Sequence, residues 1–209
     1  MNSNFDPGRP ESYRPESVLM LTPSEIIEHV FCPRFTYFMQ CLRIEQHEDK
    51  RYKVLKGREL HRTRARNNPG SVRKRIGCVK RITDVYLASP ELHVRGIVDE
   101  ILELDDGSLA PLDYKMTRAR EKPFKTHRLQ LLLYALLIAE TYDRQVLRGF
   151  LVYTVGSHSI STIEFSEKDF RKARRIISEV VDIIETGLLP ARSRSVARCA
   201  DCCYRNICV

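Results

Sequence analysis

The chain contains no tryptophan, and aromatic residues make up only 8% of it. Those aromatics form no obvious run along the sequence that would stack nucleic-acid bases. Long apolar runs are also missing: the longest, Leu129 to Ala139, is interrupted by Gln130 and Tyr134, so it is not long enough to span a bilayer. The N-terminus lacks the basic-then-apolar pattern of a secretory signal. These absences predict a cytoplasmic protein with no membrane partner.

Positive charge is what the chain has in excess. Against 27 Asp and Glu residues stand 35 Lys and Arg residues, which gives a formal net charge of +8. The excess is concentrated in one region, with Arg58, Arg62, Arg64, Arg66, Arg73, Lys74, Arg75, Lys80 and Arg81. Such a cluster favours a polyanionic partner, with nucleic acid as the first candidate. The alternative is a solvated face on an ordinary basic protein.

Secondary-structure signals predict an α/β or α+β fold, in which helices flank a sheet. A helix begins at Thr22-Pro23-Ser24-Glu25, where Thr22 and Glu25 form a capping box. Pro33 predicts a break at Cys32. The later segments are a helical piece Arg34 to Gln40, a basic helix Glu48 to Arg66, strands within Val72 to Met116, an apolar helix His127 to Tyr142, strands Val146 to Val155 and Ser159 to Phe165, and a helix capped by Ser166 that runs to about Thr186.

Three regions are predicted along the chain. Residues 1–20 are polar and proline-containing, which indicates a flexible leader. Residues 21–190 form the main domain, with enough length for one substantial core. Residues 191–209 form a cysteine-rich C-terminal module.

Asp99 and Asp113 lie on the two strands of a predicted β-hairpin, on either side of its turn. The segments His93 to Glu103 and Leu109 to Met116 alternate like strands, and Asp105-Asp106-Gly107 between them is a turn signal. A three-residue loop there places Asp99 directly opposite Asp113, with Cβ atoms roughly 5 Å apart. A two-residue loop would instead place the two aspartates on opposite faces of the sheet.

Two carboxylates that face each other repel unless something lies between or beside them. Lys115 points to the same face as Asp113, because it lies two residues further along the strand. Two carboxylates and a lysine suggest a divalent cation that polarises a phosphate, and a water that attacks it. Lys115 would hold that water and stabilise the developing negative charge. The alternative is three charged residues on a solvated strand face.

Three other residues are candidates for the same site. His61 lies in the predicted basic helix and would add one nitrogen ligand to an oxygen-rich set, which suits Mn²⁺ as well as Mg²⁺. A structural or surface histidine is the alternative. Gln130 and Tyr134 share one face of an otherwise apolar helix because they are four residues apart. They face a phosphate or a metal-bound water, or they form a satisfied pair in the core.

Seven cysteines in an apparently cytosolic chain argue against disulfides and favour a metal ion or a cluster. Cys199, Cys202 and Cys208 offer three thiols within one short segment. The fourth ligand is Cys203 or a distant residue. Cys203 is disfavoured because adjacent residues rarely converge on one metal, so Cys32 at the helix break is the better choice. A four-cysteine zinc site and an iron–sulfur cluster both fit this set.

The acidic and basic motifs together resemble the PD-(D/E)xK nucleases of the RecB type. The residues that carry the resemblance are His61, Asp99, Asp113-Tyr114-Lys115 and Gln130-x-x-x-Tyr134. It implies a nuclease core over residues 21–190 with a mixed central sheet flanked by helices. It also implies metal ligation by His61, Asp99, Asp113 and the Tyr114 carbonyl, with catalytic roles for Asp99, Asp113, Lys115, Gln130 and Tyr134.

The chain also resembles a narrower group, the CRISPR-associated exonucleases of the Cas4 family. This resemblance rests on one remote cysteine, a RecB-type core and a C-terminal cysteine triplet, and it extends from about Thr22 to Cys208. This resemblance implies a [4Fe–4S] cluster on Cys32, Cys199, Cys202 and Cys208 that joins the N-terminal segment to the module 191–209. Cys41, Cys78 and Cys203 fall outside that pattern, and we predict that Cys41 and Cys78 are buried small apolar residues.

The Cas4-family resemblance also implies a function. The protein would be a Mn²⁺- or Mg²⁺-dependent DNA exonuclease that trims single-stranded ends or overhangs of prespacer DNA and helps select it by its flanking motif. Its implied partners are that DNA, the CRISPR integrase and the small companion protein of the integrase. Two alternatives are a stand-alone RecB-like repair nuclease and a non-catalytic iron–sulfur DNA-binding subunit. Intact Asp99, Asp113 and Lys115 argue against the second, since a pure binder has no need of them.

Overall fold

The structure, a computed structural model, describes residues 18–46, 75–155, 159–200 and 202–208. The predicted basic helix from Glu48 to Arg66, with His61 in it, lies outside the described residues. So do residues 1–17 of the predicted leader. Within the described part, the chain is already attached to the sheet at Leu21, whose N–H donates to the His93 carbonyl oxygen at 2.7 Å.

The first helical segment begins and breaks where the sequence predicts. Helix α1, Pro23–Phe31, starts with a capping box in which the side chains of Thr22 and Glu25 each accept from the other's backbone N–H. Cys32 then takes an extended conformation, with φ −160° and ψ 124°, because the following proline disfavours a helical one. Helix α2, Pro33–Thr36, continues into a π-helical turn, Tyr37–Cys41.

Five strands form one mixed sheet. They are β1, Cys78–Ser89; β2, Val94–Leu104; β3, Leu109–Lys115; β4, Arg148–Tyr153; and β5, Ser159–Glu164. Their order in the sheet follows the chain, and every neighbouring pair is antiparallel except β3 and β4, which are parallel. Parallel neighbours need a crossover connection, and helix α3, Lys125–Tyr142, supplies it. The predicted mixed sheet flanked by helices is therefore confirmed.

Helix α3 is the centre of the core. Every residue from Leu131 to Ile138 is buried, because α3 packs against the sheet on one side and against α1 and α4, Glu167–Thr186, on the other. This burial explains why α3 is apolar around most of its circumference. Helix α4 is amphipathic instead, since it buries only one stripe of residues. It begins with the predicted Ser166–Asp169 capping box.

Strand β3 is buried on both faces. On the α3 side it adjoins the main core, and on the other side Leu112 and Tyr114 join a second cluster with Leu102, Phe150 and Val152. All of its residues from Leu109 to Tyr114 are buried. A charged residue on this strand therefore lies inside the protein, and Asp113 is such a residue.

The C-terminal tail packs against the N-terminal helices. Helix α5, Val196–Ala200, carries Arg198, whose guanidinium donates to the carbonyl oxygens of Phe31 at 2.8 Å and Val30 at 3.1 Å. These carbonyls lie at the C-terminal end of α1, where helix carbonyls lack helical partners. Tyr204 stacks edge-on against Phe35, with ring centroids 5.0 Å apart. Helices α1 and α2 are thus held to the C-terminal tail by packing and by a side-chain cap.

Among the described residues, no helix combines the length and the apolar character that a membrane crossing requires.

Candidate active site

The turn between β2 and β3 has the predicted three-residue loop. Glu100 lies opposite Leu112 in the β2–β3 ladder, and the same register continued by one residue places Asp99 opposite Asp113. Gly107 closes the loop at φ +78°, a conformation that residues with a side chain rarely adopt. The register prediction, on which the proposed site depends, is therefore confirmed.

Asp99 lies where the β2–β3 ladder stops. Hydrogen-bonded pairs alternate along an antiparallel ladder, and the pair of Glu100 and Leu112 is the last one. At the next step the Tyr114 N–H donates to the Asp99 Oδ2 at 3.1 Å, in place of a backbone carbonyl. A side chain thus ends the β2–β3 ladder at this point, and two carboxylates face each other at the end of that ladder.

Lys115 is held between the sheet and α3. Its Nζ lies 2.5 Å from the Asp113 Oδ2 and donates to the Gln130 Oε1 at 2.5 Å. Gln130 in turn donates through its Nε2 to the Tyr134 hydroxyl oxygen at 3.3 Å. Asp113 is only 4% exposed, so its carboxylate has little solvent to compete with Lys115. Asp113, Lys115, Gln130 and Tyr134 therefore form one continuous series of polar contacts. Gln130 and Tyr134 lie on one face of α3, as their spacing of four residues predicts.

The side chain of Tyr114 lies on the face of the sheet opposite to the side chains of Asp113 and Lys115. Its hydroxyl donates to the Glu100 Oε1 at 2.8 Å, and Arg81 approaches the same oxygen at 3.5 Å. In an extended strand the N–H and C=O of one residue point to the same side. The Tyr114 carbonyl is therefore directed to the side of Asp99, which is the direction a metal ligand there requires. Its role as a ligand stays a prediction.

Two residues at this site escaped the sequence reasoning, His127 and Tyr153. Tyr153 is in register with Lys115 across the parallel β3–β4 pair and is 1% exposed. Burial raises the pKa of its hydroxyl, and the charge of Asp113 raises it further. Its hydroxyl oxygen has no hydrogen-bond partner among the described residues. The sequence contains no local signal for Tyr153, because β4 joins β3 only in the folded sheet.

His127 packs beside Tyr153, with ring centroids 6.3 Å apart. Burial lowers the pKa of His127 to about 4, and the positive charge of Lys115 contributes to the shift. Its buried Nδ1 is likewise without a hydrogen-bond partner in the described part of the chain. The imidazole is therefore neutral near pH 7. Its spacing of three residues from Gln130 is the signal that would have placed it on the same helix face.

The donor set at the end of the ladder is made of carboxylate oxygens. Such hard donors suit Mg²⁺ or Mn²⁺ better than soft metals. In residues 18–46, 75–155, 159–200 and 202–208, no three His, Cys, Asp or Glu side chains are already close enough together to hold a metal ion. The predicted third ligand, His61, lies outside these ranges. Asp99 and Asp113 face each other at this point, and their ligation of a metal ion stays a prediction, as does that of the Tyr114 carbonyl.

Comparison with known proteins agrees with this geometry. The sequence matches the PD-(D/E)XK nuclease superfamily over residues 29–209. The chain belongs to this superfamily. It is a nuclease, and the prediction of a RecB-like nuclease is confirmed.

The nuclease is similar to a known exonuclease and to a solved structure over most of its length. One is the CRISPR-associated exonuclease Cas4 of Francisella tularensis subsp. novicida (strain U112), which is 28% identical over 180 residues, 85% of this chain and 88% of the relative. The other is the crystal structure of SSO0001, which has a TM-score of 0.58 and 18% identity and covers 91% of this chain and 85% of its own. At that identity the likeness to SSO0001 shows the fold alone.

The four cysteines predicted to hold a cluster line one cavity of the nuclease. Cys32 comes from the break between α1 and α2, and Cys199, Cys202 and Cys208 come from the C-terminal tail. The cavity has a volume of about 190 Å³, and four arginines also line it: Arg34, Arg192, Arg198 and Arg205. A set of thiolates would carry negative charge, which these guanidinium groups would offset.

Donors already point at two of the four sulfur atoms. The Arg34 Nη1 donates to the Cys208 Sγ at 3.2 Å, and the Ser193 N–H donates to the Cys32 Sγ at 3.4 Å. Burial raises the pKa of the Cys202 thiol, and the nearby thiols of Cys32, Cys208 and Cys199 raise it further. The donor type therefore suits a four-thiolate group, either iron–sulfur or zinc. No three of these thiols are yet close enough together to hold a metal ion, so its binding must draw the sulfur atoms together as well as displace the thiol protons.

The remaining cysteines lie away from the cavity wall. Cys41 donates to the Ile183 carbonyl oxygen at 3.5 Å, and Cys78 donates to the Lys80 carbonyl oxygen at 3.4 Å. Both are partly exposed, so the prediction that they are buried is wrong in degree. Cys78 lies at the start of an edge strand and Cys41 at the end of the π-helical turn, where neighbouring elements cover only one side. Cys203 packs against the aromatic cluster around Tyr204 rather than lining the cavity.

Proposed function

We propose that this nuclease is a metal-dependent DNA exonuclease of CRISPR adaptation, which trims single-stranded ends or overhangs of prespacer DNA before integration and helps to select that DNA by its flanking motif. The observation that carries the proposal is the position of Asp99 and Asp113 opposite each other at the end of the β2–β3 ladder, with Lys115 beside them. Support for the CRISPR setting comes from the similarity to the Francisella Cas4 exonuclease over most of both chains.

Asp99 and Asp113 would hold the catalytic cation, Mg²⁺ or Mn²⁺. The Tyr114 carbonyl and His61 would complete its protein ligands. When bound, the cation supplies Lewis-acid polarisation of the scissile phosphate. Burial of Asp113 favours cation binding, since a buried carboxylate is stabilised by a nearby positive charge.

Lys115 would act on the attacking water and on the charge that develops at the phosphate. Its Nζ is a donor held 2.5 Å from both the Asp113 Oδ2 and the Gln130 Oε1, so its position is fixed before the substrate arrives. A preorganised donor stabilises a developing negative charge more than a mobile one does. Gln130 would act through Lys115, because it accepts a hydrogen bond from the ammonium group and holds it in place. Tyr134 would act through Gln130, whose amide donates to the Tyr134 hydroxyl.

Cys32, Cys199, Cys202 and Cys208 would hold a [4Fe–4S] cluster. Such a cluster supplies cross-linking between the N-terminal helices and the C-terminal tail. By loop-closure entropy, a link between residues so far apart in the chain contributes on the order of several kcal/mol to stability. It would also fix the arginine-rich tail beside the nuclease core, where the guanidinium groups can meet DNA phosphates.

A digestion of end-labelled single-stranded DNA tests the nuclease assignment. With Mn²⁺, the wild-type protein is expected to shorten the DNA from an end, and Lys115→Ala is expected to lower the rate by roughly 10²- to 10³-fold. Lys172→Ala is the matched control, because this lysine is exposed on α4 away from the site and its loss leaves the rate unchanged. Wild-type rates in Lys115→Ala would refute the assigned site.

The CRISPR setting needs a separate test. The nuclease is expected to co-purify with the CRISPR integrase and its small companion protein, and to alter the length of DNA that they integrate. Digestion of DNA without any association with these partners would favour the stand-alone repair nuclease instead. Tight DNA binding by the wild type without any cleavage would favour the non-catalytic subunit.

A further inference from the structure

The segment of residues 116–125, which connects β3 to α3 and includes the first residue of that helix, starts directly after Lys115 and carries four positive charges against one negative. Its cations are Arg118, Arg120, Lys122 and Lys125, and Glu121 is its only acid. All five side chains are exposed. The segment thus presents positive charge directly after Lys115 in the chain, where it would attract a DNA backbone that approaches the active site.

An aromatic ring is stacked within this positive segment. The Arg120 guanidinium carbon lies 4.3 Å from the centre of the Phe124 ring, which is the geometry of a cation–π contact. Phe124 remains 37% exposed. A single exposed aromatic residue needs no explanation, but one that carries a guanidinium on its ring resembles the surfaces that hold unpaired bases.

Phe124 begins a series of rings that leads from the surface to the catalytic residues. Its ring packs edge-on against His127, with centroids 5.1 Å apart, and His127 lies 6.3 Å from Tyr153. Tyr153 is in register with Lys115 on the neighbouring strand. A base that stacks at the exposed end of this series would therefore have its phosphate close to the proposed cation site.

We propose that Arg120, Phe124 and His127 form a stacking platform for the unpaired terminal base of single-stranded DNA, which holds the adjacent phosphate beside Asp99 and Asp113. This proposal rests on the proposed function. Arg118 and Lys122 attract the phosphates of the nucleotides next to that base. A base in a duplex does not offer both faces to a protein ring, so the platform selects unpaired ends.

The absence of tryptophan makes the platform directly observable. Phe124→Trp places one tryptophan in a chain that has none, so fluorescence excited in the tryptophan band reports on that position alone. The measurement uses the full chain with Lys115→Ala as a second substitution, so that the DNA is not consumed. Titration with a single-stranded oligonucleotide is expected to quench the fluorescence, because a stacked base quenches an indole that it covers.

Tyr142→Trp is the matched control. Tyr142 lies at the other end of α3 and is 36% exposed, nearly the same as Phe124. The same oligonucleotide is expected to leave its fluorescence unchanged. Equal quenching at both positions would overturn the proposal, because it would show non-specific coating of a basic protein. The absence of quenching at Phe124→Trp would overturn it as well.

Oligonucleotides with an abasic nucleotide at one terminus identify the stacked base. The quenching at Phe124→Trp is expected to disappear when the base is removed from one of the two ends, while the phosphates remain. In the Lys115→Ala background, Phe124→Ala is expected to weaken binding of the intact oligonucleotide roughly 5- to 150-fold, which corresponds to about 1–3 kcal/mol for one stacked base. It should not weaken binding of the abasic one. Equal losses for both DNAs would overturn the platform.

Failure of the platform and failure of the proposed function are distinguishable. Quenching and the abasic effect are binding measurements and do not depend on cleavage. If the wild type digests DNA but these binding effects are missing, the platform is wrong and the nuclease assignment stands. If they are present but the wild type digests no DNA, the platform stands and the proposed exonuclease function is wrong.

Discussion

The backbone N–H of Tyr114 donates to the carboxylate of Asp99 at 3.1 Å, where a backbone carbonyl of β2 would continue the ladder. Asp99 therefore has two roles, which different substitutions can separate. As an acceptor it ends the β2–β3 ladder, and an amide oxygen can do the same. As a charge it faces Asp113 and would bind a cation, which an amide does poorly.

Asp99→Asn is expected to abolish cleavage and to leave the free energy of unfolding nearly unchanged, since the amide oxygen still accepts from Tyr114. Asp99→Ala is expected to abolish cleavage and also to destabilise the fold by about 1 kcal/mol, through loss of the hydrogen bond. Digestion of labelled DNA and denaturant titration measure the two effects. Glu103→Gln, on the same face of β2, is the control and keeps activity. An active Asp99→Asn would contradict the site.

Gln130→Leu is expected to lower kcat by roughly 10- to 150-fold with little change in KM. The substitution removes one hydrogen bond to the charged Lys115, which is worth about 1.5–3 kcal/mol. Because Lys115 would stabilise the transition state and not the bound substrate, the loss lowers kcat and leaves KM nearly unchanged. Steady-state kinetics on single-stranded DNA check this split. Gln145→Leu, at an exposed position after α3, serves as the control. An unchanged kcat would show that Gln130 has no part in positioning Lys115.

Protein purified without oxygen is expected to be brown and to contain iron and sulfide in equal amounts. Cys32→Ser and Cys202→Ser should each lose the iron, since each sulfur lines the cavity. Cys203→Ser should retain it, although Cys203 is adjacent to Cys202, because its side chain does not line that cavity. Metal analysis and visible absorption decide this. Zinc alone at these thiols would contradict the cluster.

Tyr114→Phe is expected to destabilise the fold by about 1–3 kcal/mol, because it removes a hydrogen bond from the fully buried Glu100 carboxylate. Chemical denaturation of the metal-free protein measures the loss. Tyr86→Phe is the control, since Tyr86 is 60% exposed and its change should lie within about 0.5 kcal/mol. Equal stability in Tyr114→Phe and the wild type would show that Glu100 does not depend on this hydroxyl.

The titration of His127 is expected to make the free energy of unfolding depend on pH. Its pKa in the folded protein is about 4, below the ordinary value of 6.5, because burial disfavours the charged ring. The unfolded chain therefore binds more protons between those two pH values, so the free energy of unfolding falls as pH drops from about 6.5 toward 4. Denaturation at a series of pH values, with a chelator present, measures the slope.

His127→Gln is expected to make that slope shallower, because glutamine does not titrate. Above pH 7 the two proteins should show little difference in slope, since His127 is neutral in both the folded and the unfolded state there. An identical pH slope in His127→Gln and wild type would show that His127 is not kept neutral by the fold.

Local sequence was sufficient for the elements whose geometry depends on near neighbours. Side chains alternate with period two along a strand, so the loop length alone decides whether Asp99 and Asp113 share a face. Asp-Asp-Gly indicates the turn, and of the two loop lengths considered the structure has the three-residue one. The capping boxes and the break at Cys32 follow from the same kind of short-range chemistry. The shared face of Gln130 and Tyr134 follows from helix periodicity.

Tertiary structure alone decided which distant segments meet. Tyr153 lies beside Lys115 because α3 crosses over and makes β4 the parallel neighbour of β3, and no local pattern encodes that pairing. The rings of Phe124, His127 and Tyr153 form a spatial series although the sequence has no aromatic run. Cys32 shares a cavity with the tail cysteines because Tyr204 packs against α2 and the π-helical turn. Short-range preferences act over a few residues, whereas these contacts form only when the core excludes water from side chains far apart in the chain.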